Sequence, residues 1–184
     1  MALKSTVYKA DLQIADMDRG YYADHALTLA RHPSETDERL MVRLLAFALH
    51  ADEALQFGQG MTDSDEPDLW RRDLTGHIEQ WIDVGQPDEK LLKKACSRAD
   101  EVVLLTYGRT AELWWAQNRA ALERLPKLRV LHLDAEASQA LAALAERTMR
   151  LQCTVQDGQV WFGHSEETVA LQLVELKPKK SGGR

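Results

Sequence analysis

The sequence has only two cysteines, Cys96 and Cys153, among its 184 residues. A chain of this length buries roughly 70% of its surface and folds without cross-links, so two buried thiols are a better interpretation than a disulfide. The cysteines show no CxxC spacing and do not support a zinc site. Patterns of other enzyme classes are missing too, because the chain has no Walker loop, no GxGxxG segment and no Ser/His/Asp order.

Long apolar segments are also missing. No run approaches the ~18 apolar residues that suggest a transmembrane helix. The N-terminal sequence MALKSTVYKADLQIAD soon alternates polar with apolar residues, whereas a signal peptide has a charged region followed by an apolar core. Hydrophobic residues make up 45% of the chain and charged residues 28%, as in ordinary globular proteins. We therefore predict a cytoplasmic protein with no membrane partner.

The chain also lacks an excess of positive charge. Its formal net charge is -6, which argues against broad, nonspecific affinity for nucleic acid. Local basic patches could still bind nucleic acid, and a protein partner is the alternative. Residues 177–184, KPKKSGGR, have the composition of a flexible basic tail. Residues 1–176 show no internal repeat and no linker, so they are predicted to form a single domain.

Alternating and helical hydrophobic patterns predict an α/β protein with a mixed β-sheet and flanking helices. The predicted strands are 6–16, 21–31, 67–72, 77–84, 101–107, 128–133, 151–155, 159–162 and 169–176, and the predicted helices run from a cap at Ser34 to about 50, from 87, from 110 to 124 and from 135 to about 147. The first two strands should form an antiparallel hairpin, and Asp157-Gly158 should close another near the C-terminus. The strand and helix succession from 77 to 133 favours parallel strands.

Several segments together resemble the YaeQ family of small bacterial proteins, namely RHPSETDERLMVRLLAFAL, EPDLW, WIDVGQPDEK, KKACSRAD, TYG, WW and TMRLQCTVQDGQVW. The resemblance covers nearly the whole chain. It implies a variation on the PD-(D/E)xK nuclease fold, which is restriction-endonuclease-like, and a link to bacterial transcription elongation. It implies no established biochemical activity.

The nuclease-like fold implies a pair of carboxylates on adjacent strands. In that arrangement two acids hold a magnesium ion, which activates water and offsets the charge that develops on a phosphate. Asp68 and Glu79 match the two acid positions of this arrangement, and Glu38 corresponds to an acid that many such nucleases place near the metal. The resemblance therefore predicts magnesium bound by Asp68, Glu79 and Glu38. The alternative is a purely structural role, because acidic pairs also occur in ion-pair and hydrogen-bond networks.

Trp81 stands where the nuclease pattern requires a lysine. Because an indole cannot replace a cation, a lysine from the following helix must reach the site, or the site is inactive. Lys94 is the first candidate for the catalytic lysine and Lys90 the second, since they lie four residues apart on one helix face. The alternative is that these lysines, with Lys93, only solvate the outer face of the helix.

Other polar and aromatic residues fit ordinary structural roles better. His77 shares a strand face with Glu79 but also fits a partly buried hydrogen-bonding residue. Asp83 lies about 13 Å from Glu79 along the strand, so the two cannot easily bind one ion. Trp114 and Trp115 could stack on bases, or one ring could belong to the core. The sequence thus favours a magnesium-dependent phosphodiesterase or nuclease, with a catalytically inactive binding or regulatory protein linked to transcription as the alternative.

Overall fold

The computed structural model of the chain describes residues 4–61 and 65–180. These residues form eleven strands and four helices. The strands are β1 (Thr6–Asp16), β2 (Tyr21–Arg31), β3 (Leu55–Phe57), β4 (Leu69–Arg72), β5 (Ile78–Val84), β6 (Ala99–Tyr107), β7 (Leu128–Leu133), β8 (Thr148–Gln156), β9 (Gln159–Gly163), β10 (Thr168–Gln172) and β11 (Val174–Lys177). The helices are α1 (Asp37–His50), α2 (Glu89–Arg98), α3 (Ala111–Leu122) and α4 (Ala135–Ala142). The predicted α/β class is confirmed.

The strands divide between two mixed sheets, so the expectation of one sheet is corrected. The first sheet has the order β10-β9-β8-β1-β2 and the second the order β11-β7-β6-β5-β4-β3. The chain separates accordingly into two compact units, residues 1–49 with 135–173 and residues 50–134 with 174–184. The assignment of residues 1–176 to a single domain stays a prediction.

The first unit contains both predicted hairpins. β1 and β2 pair in one unbroken antiparallel register from Thr6↔Arg31 to Asp16↔Tyr21, and β1 also pairs in parallel with β8. The turn between β8 and β9 has positive φ at Asp157 (52°) and Gly158 (77°), a combination that suits a two-residue hairpin and that these residue types tolerate. The alternating pattern therefore identified these strands correctly.

Helix α1 belongs to the first unit and contributes buried apolar residues to it. It begins at Asp37 rather than after Ser34, because the backbone N–H of Arg39 is capped by the Thr36 hydroxyl at 3.1 Å. Ser34 instead bonds the imidazole of His32, at 2.6 Å between Oγ and Nδ1. At the other end of the helix, Phe47 packs edge-on against His25 of β2 with ring centroids 5.1 Å apart.

The second unit is built around the parallel strands β5, β6 and β7, as predicted. Antiparallel strands extend this sheet on both sides, β4 and β3 on one and β11 on the other. One face of the sheet carries the core cluster, to which α2 contributes Leu92 and Ala95 and α3 contributes Leu122. Trp70 and Trp81 belong to the same cluster. No helix in the described residues is long and apolar enough to cross a membrane.

The predicted strand 169–176 is wrong as one element. No Gly, Pro, Asn or Asp interrupts it in the sequence, but β10 ends at Gln172 and pairs with β9, whereas β11 begins at Val174 and pairs with β7 of the second sheet. Lys177, the last residue of β11, is buried, and its Nζ donates to the Leu128 carbonyl at 2.6 Å. Residues 181–184 lie outside the described residues, and the flexibility of the tail stays a prediction.

Both cysteines are free thiols. Cys153 is buried, and burial raises its pKa to about 12, so it is an inert core residue. Cys96 is half-buried, and burial raises its pKa as well.

Candidate functional site at the ends of strands β4 and β5

Asp68 lies directly before β4, opposite the end of β5. The ladder pairs Leu69 with Ile82 and Trp70 with Trp81, so the next position in register places Asp68 opposite Asp83. The backbone N–H of Asp68 donates to Asp83 Oδ1 at 3.1 Å. These contacts bring two aspartates side by side at one end of the strand pair.

The carboxylate of Asp68 continues the sheet where the backbone ladder stops. Its Oδ2 accepts the buried N–H of Val84 at 2.9 Å, and the residue is only 3% exposed. Backbone packs against the carboxylate from the other side, because a Cβ added at Gly60 would lie 2.5 Å from Asp68 Oδ1. Only glycine allows so close an approach. Asp68 is thus both buried and held in one orientation.

Trp81 binds the second acid of the pair. Its indole Nε1–H donates to Asp83 Oδ2 at 2.8 Å, and Asp83 is half-buried. Since residues two apart in a strand share a face, the indole and the carboxylate lie on the same side of β5. The residue that replaces the expected lysine therefore orients an acid instead of supplying a positive charge.

The structure does not bring Asp68 and Glu79 together. Glu79 lies four residues before Asp83 on β5, which is about 13 Å along an extended strand. Its Oε2 accepts from Arg71 Nε at 2.9 Å, and Arg71 also lies 3.8 Å from Asp52. Glu79 thus belongs to a half-exposed ion-pair network, which is a structural role for this acid.

The turn between β4 and β5 and the register shift next to it decide which acids of the two strands lie side by side. The backbone N–H of Asp73 donates to the His77 carbonyl, and the backbone N–H of Gly76 donates to the Asp73 carbonyl, so the turn is centred near Thr75. Counting outward from that centre would place Asp68 opposite Ile82, but the register shifts by one residue between Arg72, which pairs with Ile78, and Arg71, which pairs with Gln80. This shift brings Asp68 opposite Asp83. Asp68 therefore lies beside Asp83 and not beside Glu79, and the site roles of Asp68 and Glu79 stay predictions.

Glu38 lies in the first compact unit, on helix α1. Its Oε2 accepts a hydrogen bond from the Ser138 hydroxyl of α4 at 3.1 Å. Ser138 is fully buried. The observed role of Glu38 is therefore a bond between two helices of its own unit.

The lysines of helix α2 differ in their partners. Lys94 Nζ pairs with the carboxylate of Asp65, and this interaction lowers the pKa of Asp65. Lys93 pairs with Glu89 at 3.0 Å on its own helix, and Lys90 is exposed. Lys94 is thus the lysine of α2 that contacts the segment leading into the acid pair, because Asp65 lies three residues before Asp68.

Two arginines stack on the tryptophans that adjoin the acid pair. Arg98 lies 5.1 Å from the ring centroid of Trp81, and Arg72 lies 4.1 Å from that of Trp70. The two indoles meet edge to face, with centroids 6.2 Å apart. Arg98 also donates to the Asp65 carbonyl at 2.6 Å. Stacking of this kind fixes the guanidinium groups in place and leaves their N–H edges able to bind anions.

His77 and His132 show opposite electrostatic environments. His77 Nε2 lies 2.8 Å from Asp100 Oδ1 in an exposed pair, and the hydrogen bond to this carboxylate raises the pKa of His77. His132 is buried on β7, and burial lowers its pKa. The sequence analysis missed His132, although an isolated histidine in the apolar run LRVLHL was a usable signal.

The tautomer of His132 follows from its neighbour. The Thr106 hydroxyl donates its one hydrogen to the Leu131 carbonyl at 3.0 Å, so it must accept from His132 Nδ1, which lies 2.9 Å away. The neutral ring thus carries its hydrogen on Nδ1 and has its lone pair on Nε2. Trp114 and Trp115, the other aromatic candidates, are half-buried and pack against the core cluster.

The fit of a metal ion depends on the donors that the fold gathers. Among the described residues, no group of three or more His, Cys, Asp or Glu side chains is arranged to hold a metal ion. Asp68 and Asp83 form an adjacent pair, and magnesium commonly binds one or two carboxylates while keeping several waters. Carboxylates that bind metals are themselves hydrogen-bonded, as both aspartates are. Asp68 and Asp83 are thus the two acids that could hold a hydrated magnesium ion between them, whereas Glu79 lies apart from Asp68.

Comparisons with known proteins agree over nearly the whole chain. Residues 1–173 match the family model described as YaeQ protein. The chain is 48% identical over 174 residues to "Uncharacterized protein YaeQ" of Escherichia coli K12, covering 94% of this chain and 96% of that one. The protein of the same name from Salmonella typhi is 47% identical with the same coverage.

Solved structures of similar proteins have the same fold. The YaeQ crystal structure from Xanthomonas axonopodis pv. citri is 54% identical with a TM-score of 0.91, and covers 94% of this chain and 98% of that one. The YaeQ structure from Pseudomonas syringae is 35% identical, also with a TM-score of 0.91, and covers 96% and 98%.

Proposed function

The chain belongs to the YaeQ family, and we propose that it is a magnesium-dependent phosphodiesterase of the cytoplasm that acts on nucleic acid through Asp68 and Asp83. The observation that carries the proposal is the backbone hydrogen bond from Asp68 to Asp83 Oδ1, which places two aspartates side by side at one end of β4 and β5. The resemblance to PD-(D/E)xK nucleases supports it, because that arrangement uses two acids on adjacent strands.

The two aspartates would hold the ion, and the residues around them would keep both acids in position. When bound, magnesium activates water and offsets negative charge on a phosphate. The N–H groups of Val84 and Trp81 each donate to one carboxylate, which fixes its orientation. The burial of Asp68 limits competing solvent around that acid.

Helix α2 would contribute the positive charge that substrate phosphates require. Lys94 and Arg98 both contact Asp65, one through its carboxylate and the other through its carbonyl. A phosphate group could replace the carboxylate at Lys94, since both are anions that accept hydrogen bonds from an ammonium group. This local patch supports nucleic acid as the substrate despite the net charge of -6.

The decisive experiment compares Asp83→Asn with Glu79→Gln. Binding of magnesium and manganese is measured by calorimetry, and hydrolysis is measured with bis(p-nitrophenyl) phosphate and with labelled DNA and RNA oligonucleotides. We expect Asp83→Asn to reduce metal-dependent hydrolysis by more than about 100-fold. This loss is larger than the roughly 10–100-fold expected when a residue only hydrogen-bonds to a metal ligand. Glu79→Gln, the matched control on the same strand, should remain near wild type. Equal losses in the two variants would refute the assignment of the acid pair.

The role of the α2 lysine is tested separately. Lys94→Ala should raise the oligonucleotide concentration needed for half-maximal rate, whereas Lys93→Ala should not, because Lys93 pairs with Glu89 on its own helix. Identical behaviour of the two lysine variants would remove Lys94 from the proposed site.

A second candidate function is a catalytically inactive protein that kept the fold and acts as a binding or regulatory protein linked to transcription. It is favoured by Trp81, which occupies the position of the lysine and donates to Asp83, and by the pairing of Lys94 with Asp65. This alternative predicts no heat of magnesium binding at millimolar metal and no hydrolysis above that of the Asp83→Asn variant. Metal-dependent turnover by the wild-type protein would refute it.

A further inference from the structure

Strand β2 is an edge of the first sheet. It is eleven residues long and, among the described strands, pairs only with β1, in a register without a bulge. Such a strand presents a row of backbone donors and acceptors to any chain that can lie beside it.

Two hydrogen bonds show which residues of β2 form that row. The backbone N–H of Lys9 donates to the Arg147 carbonyl at 2.9 Å. The backbone N–H and C=O groups of Lys9, and of every second residue of β1 counted from it, therefore point toward β8 and away from β2. The intervening residues of β1 direct their backbone groups toward β2, where their partners include Leu29 and Leu27. In an antiparallel ladder, the backbone N–H and C=O groups of the other residues of β2 must then point away from β1. The Ala30 carbonyl confirms this direction, because it accepts from Arg43 at 3.1 Å.

Within residues 4–61 and 65–180, the outward row lacks the usual protection of a sheet edge. It consists of Tyr22, Asp24, Ala26 and Thr28, with Arg43 covering only the far end at Ala30. Natural edges are commonly blunted by proline, lysine or a bulge, and β2 has none of these. Asp24 is the one charged residue in the outward row.

We propose that β2 is the surface through which two copies of this chain associate, antiparallel and centred on Ala26. In this register Asp24 of each copy lies opposite Thr28 of the other, so a carboxylate meets a hydroxyl donor. A register centred on Asp24 would instead place the two carboxylates face to face, which is unfavourable. The pairing is isologous and closed, and it joins five strands from each copy into one continuous sheet.

The partner is a second copy because the strand is complementary to itself. On the inner face the same register places Tyr21 opposite Arg31 and Ala23 opposite Leu29, so no like charges meet across the pair. Since the contact rests on backbone bonds and a few small side chains, its area is that of a weak, reversible interface. Association is therefore expected in the micromolar to millimolar range.

Sedimentation velocity of the full chain over that concentration range tests the proposal. Ala26→Pro removes one outward N–H and leaves the β1 ladder intact, whereas the control Ala26→Val keeps the N–H at the same exposed position. We expect dimers of the wild type and of Ala26→Val, and monomers of Ala26→Pro with an unchanged circular dichroism spectrum. Monomers of the wild type at millimolar concentration, or dimers of Ala26→Pro that match the wild type, would overturn the proposal.

A charge exchange tests the register without altering the backbone, and decides the matter if Ala26→Pro fails to fold. Thr28→Asp places a carboxylate opposite Asp24 and should weaken dimerisation by roughly tenfold, because the symmetry repeats each repulsion twice. Adding Asp24→Lys to Thr28→Asp should restore it, while Thr28→Ser should behave as the wild type. A double variant no tighter than Thr28→Asp would show that β2 does not pair in this register.

Discussion

Replacing Asp68 by alanine and by asparagine should separate the structural role of this residue from its proposed role in binding metal. Both substitutions remove the charge that would hold magnesium. Asparagine keeps an oxygen that can accept the N–H of Val84, whereas alanine leaves that buried N–H without its partner. The two variants should therefore lose metal binding alike but differ in stability.

The expected difference follows from the geometry of one hydrogen bond. A buried donor left without a partner costs about 1–3 kcal/mol, and a bond to a charged acceptor contributes about 1.5–3 kcal/mol. The hydrogen bond from Val84 to Asp68 is 2.9 Å long, and Asp68 is only 3% exposed. The cost of leaving the Val84 N–H without a partner should therefore fall in the upper half of that range. We expect Asp68→Ala to lower the free energy of unfolding by about 2–3 kcal/mol and Asp68→Asn by about 1 kcal/mol.

Urea unfolding followed by tryptophan fluorescence measures this difference, and thermal unfolding checks it. For a chain of this size, 1 kcal/mol corresponds to roughly 2–4 °C, so the melting temperatures of the two variants should differ by about 4 °C. Unchanged m-values would show that the comparison concerns the native state. If Asp68→Ala proves as stable as Asp68→Asn, the carboxylate does not replace the ladder bond, and our reading of its geometry is wrong.

Three further predictions concern residues near this site. Trp81→Phe keeps an aromatic ring but loses the N–H donated to Asp83, so the free energy of unfolding in urea should fall by about 1–2 kcal/mol; no change would show that the bond contributes nothing. Gln80→Met should raise that free energy by about 1 kcal/mol, because Gln80 Oε1 is buried without a hydrogen-bond partner within the described residues, and a lower value would contradict this cost. Asp100→Asn should lower the pKa of His77 measured by NMR, because the raised pKa comes from the hydrogen bond to the Asp100 carboxylate. The stabilising contribution of this pair is present at low pH and is lost as the pH rises through the folded-state pKa of His77. An unchanged titration of His77 in the variant would show that the pair does not form.

Local patterns in the sequence identified most of the elements of this protein. The alternation from Tyr8 to Ile14, the Asp157-Gly158 turn and the apolar run of β6 each carry enough information within a few residues to specify a strand or a hairpin. The family resemblance came from segments spread over nearly the whole chain, and the comparisons confirm it.

The assignment of partners required the tertiary structure. Side-chain alternation states which face of a strand is buried, but not which strand lies beside it or in which register. The segment 169–176, which contains no turn residue, therefore could not show that β10 and β11 belong to different sheets.

The same limit decided the acid pair. Asp68, Glu79 and Asp83 are all visible in the sequence, and their strands were predicted. A turn centred near Thr75 and a one-residue register shift between Arg71 and Arg72 together place Asp68 beside Asp83, while Glu79 pairs with Arg71. Residue types thus supplied the carboxylates, and the register of one strand pair, set by its turn and by the bulge next to the turn, decided which two of them meet.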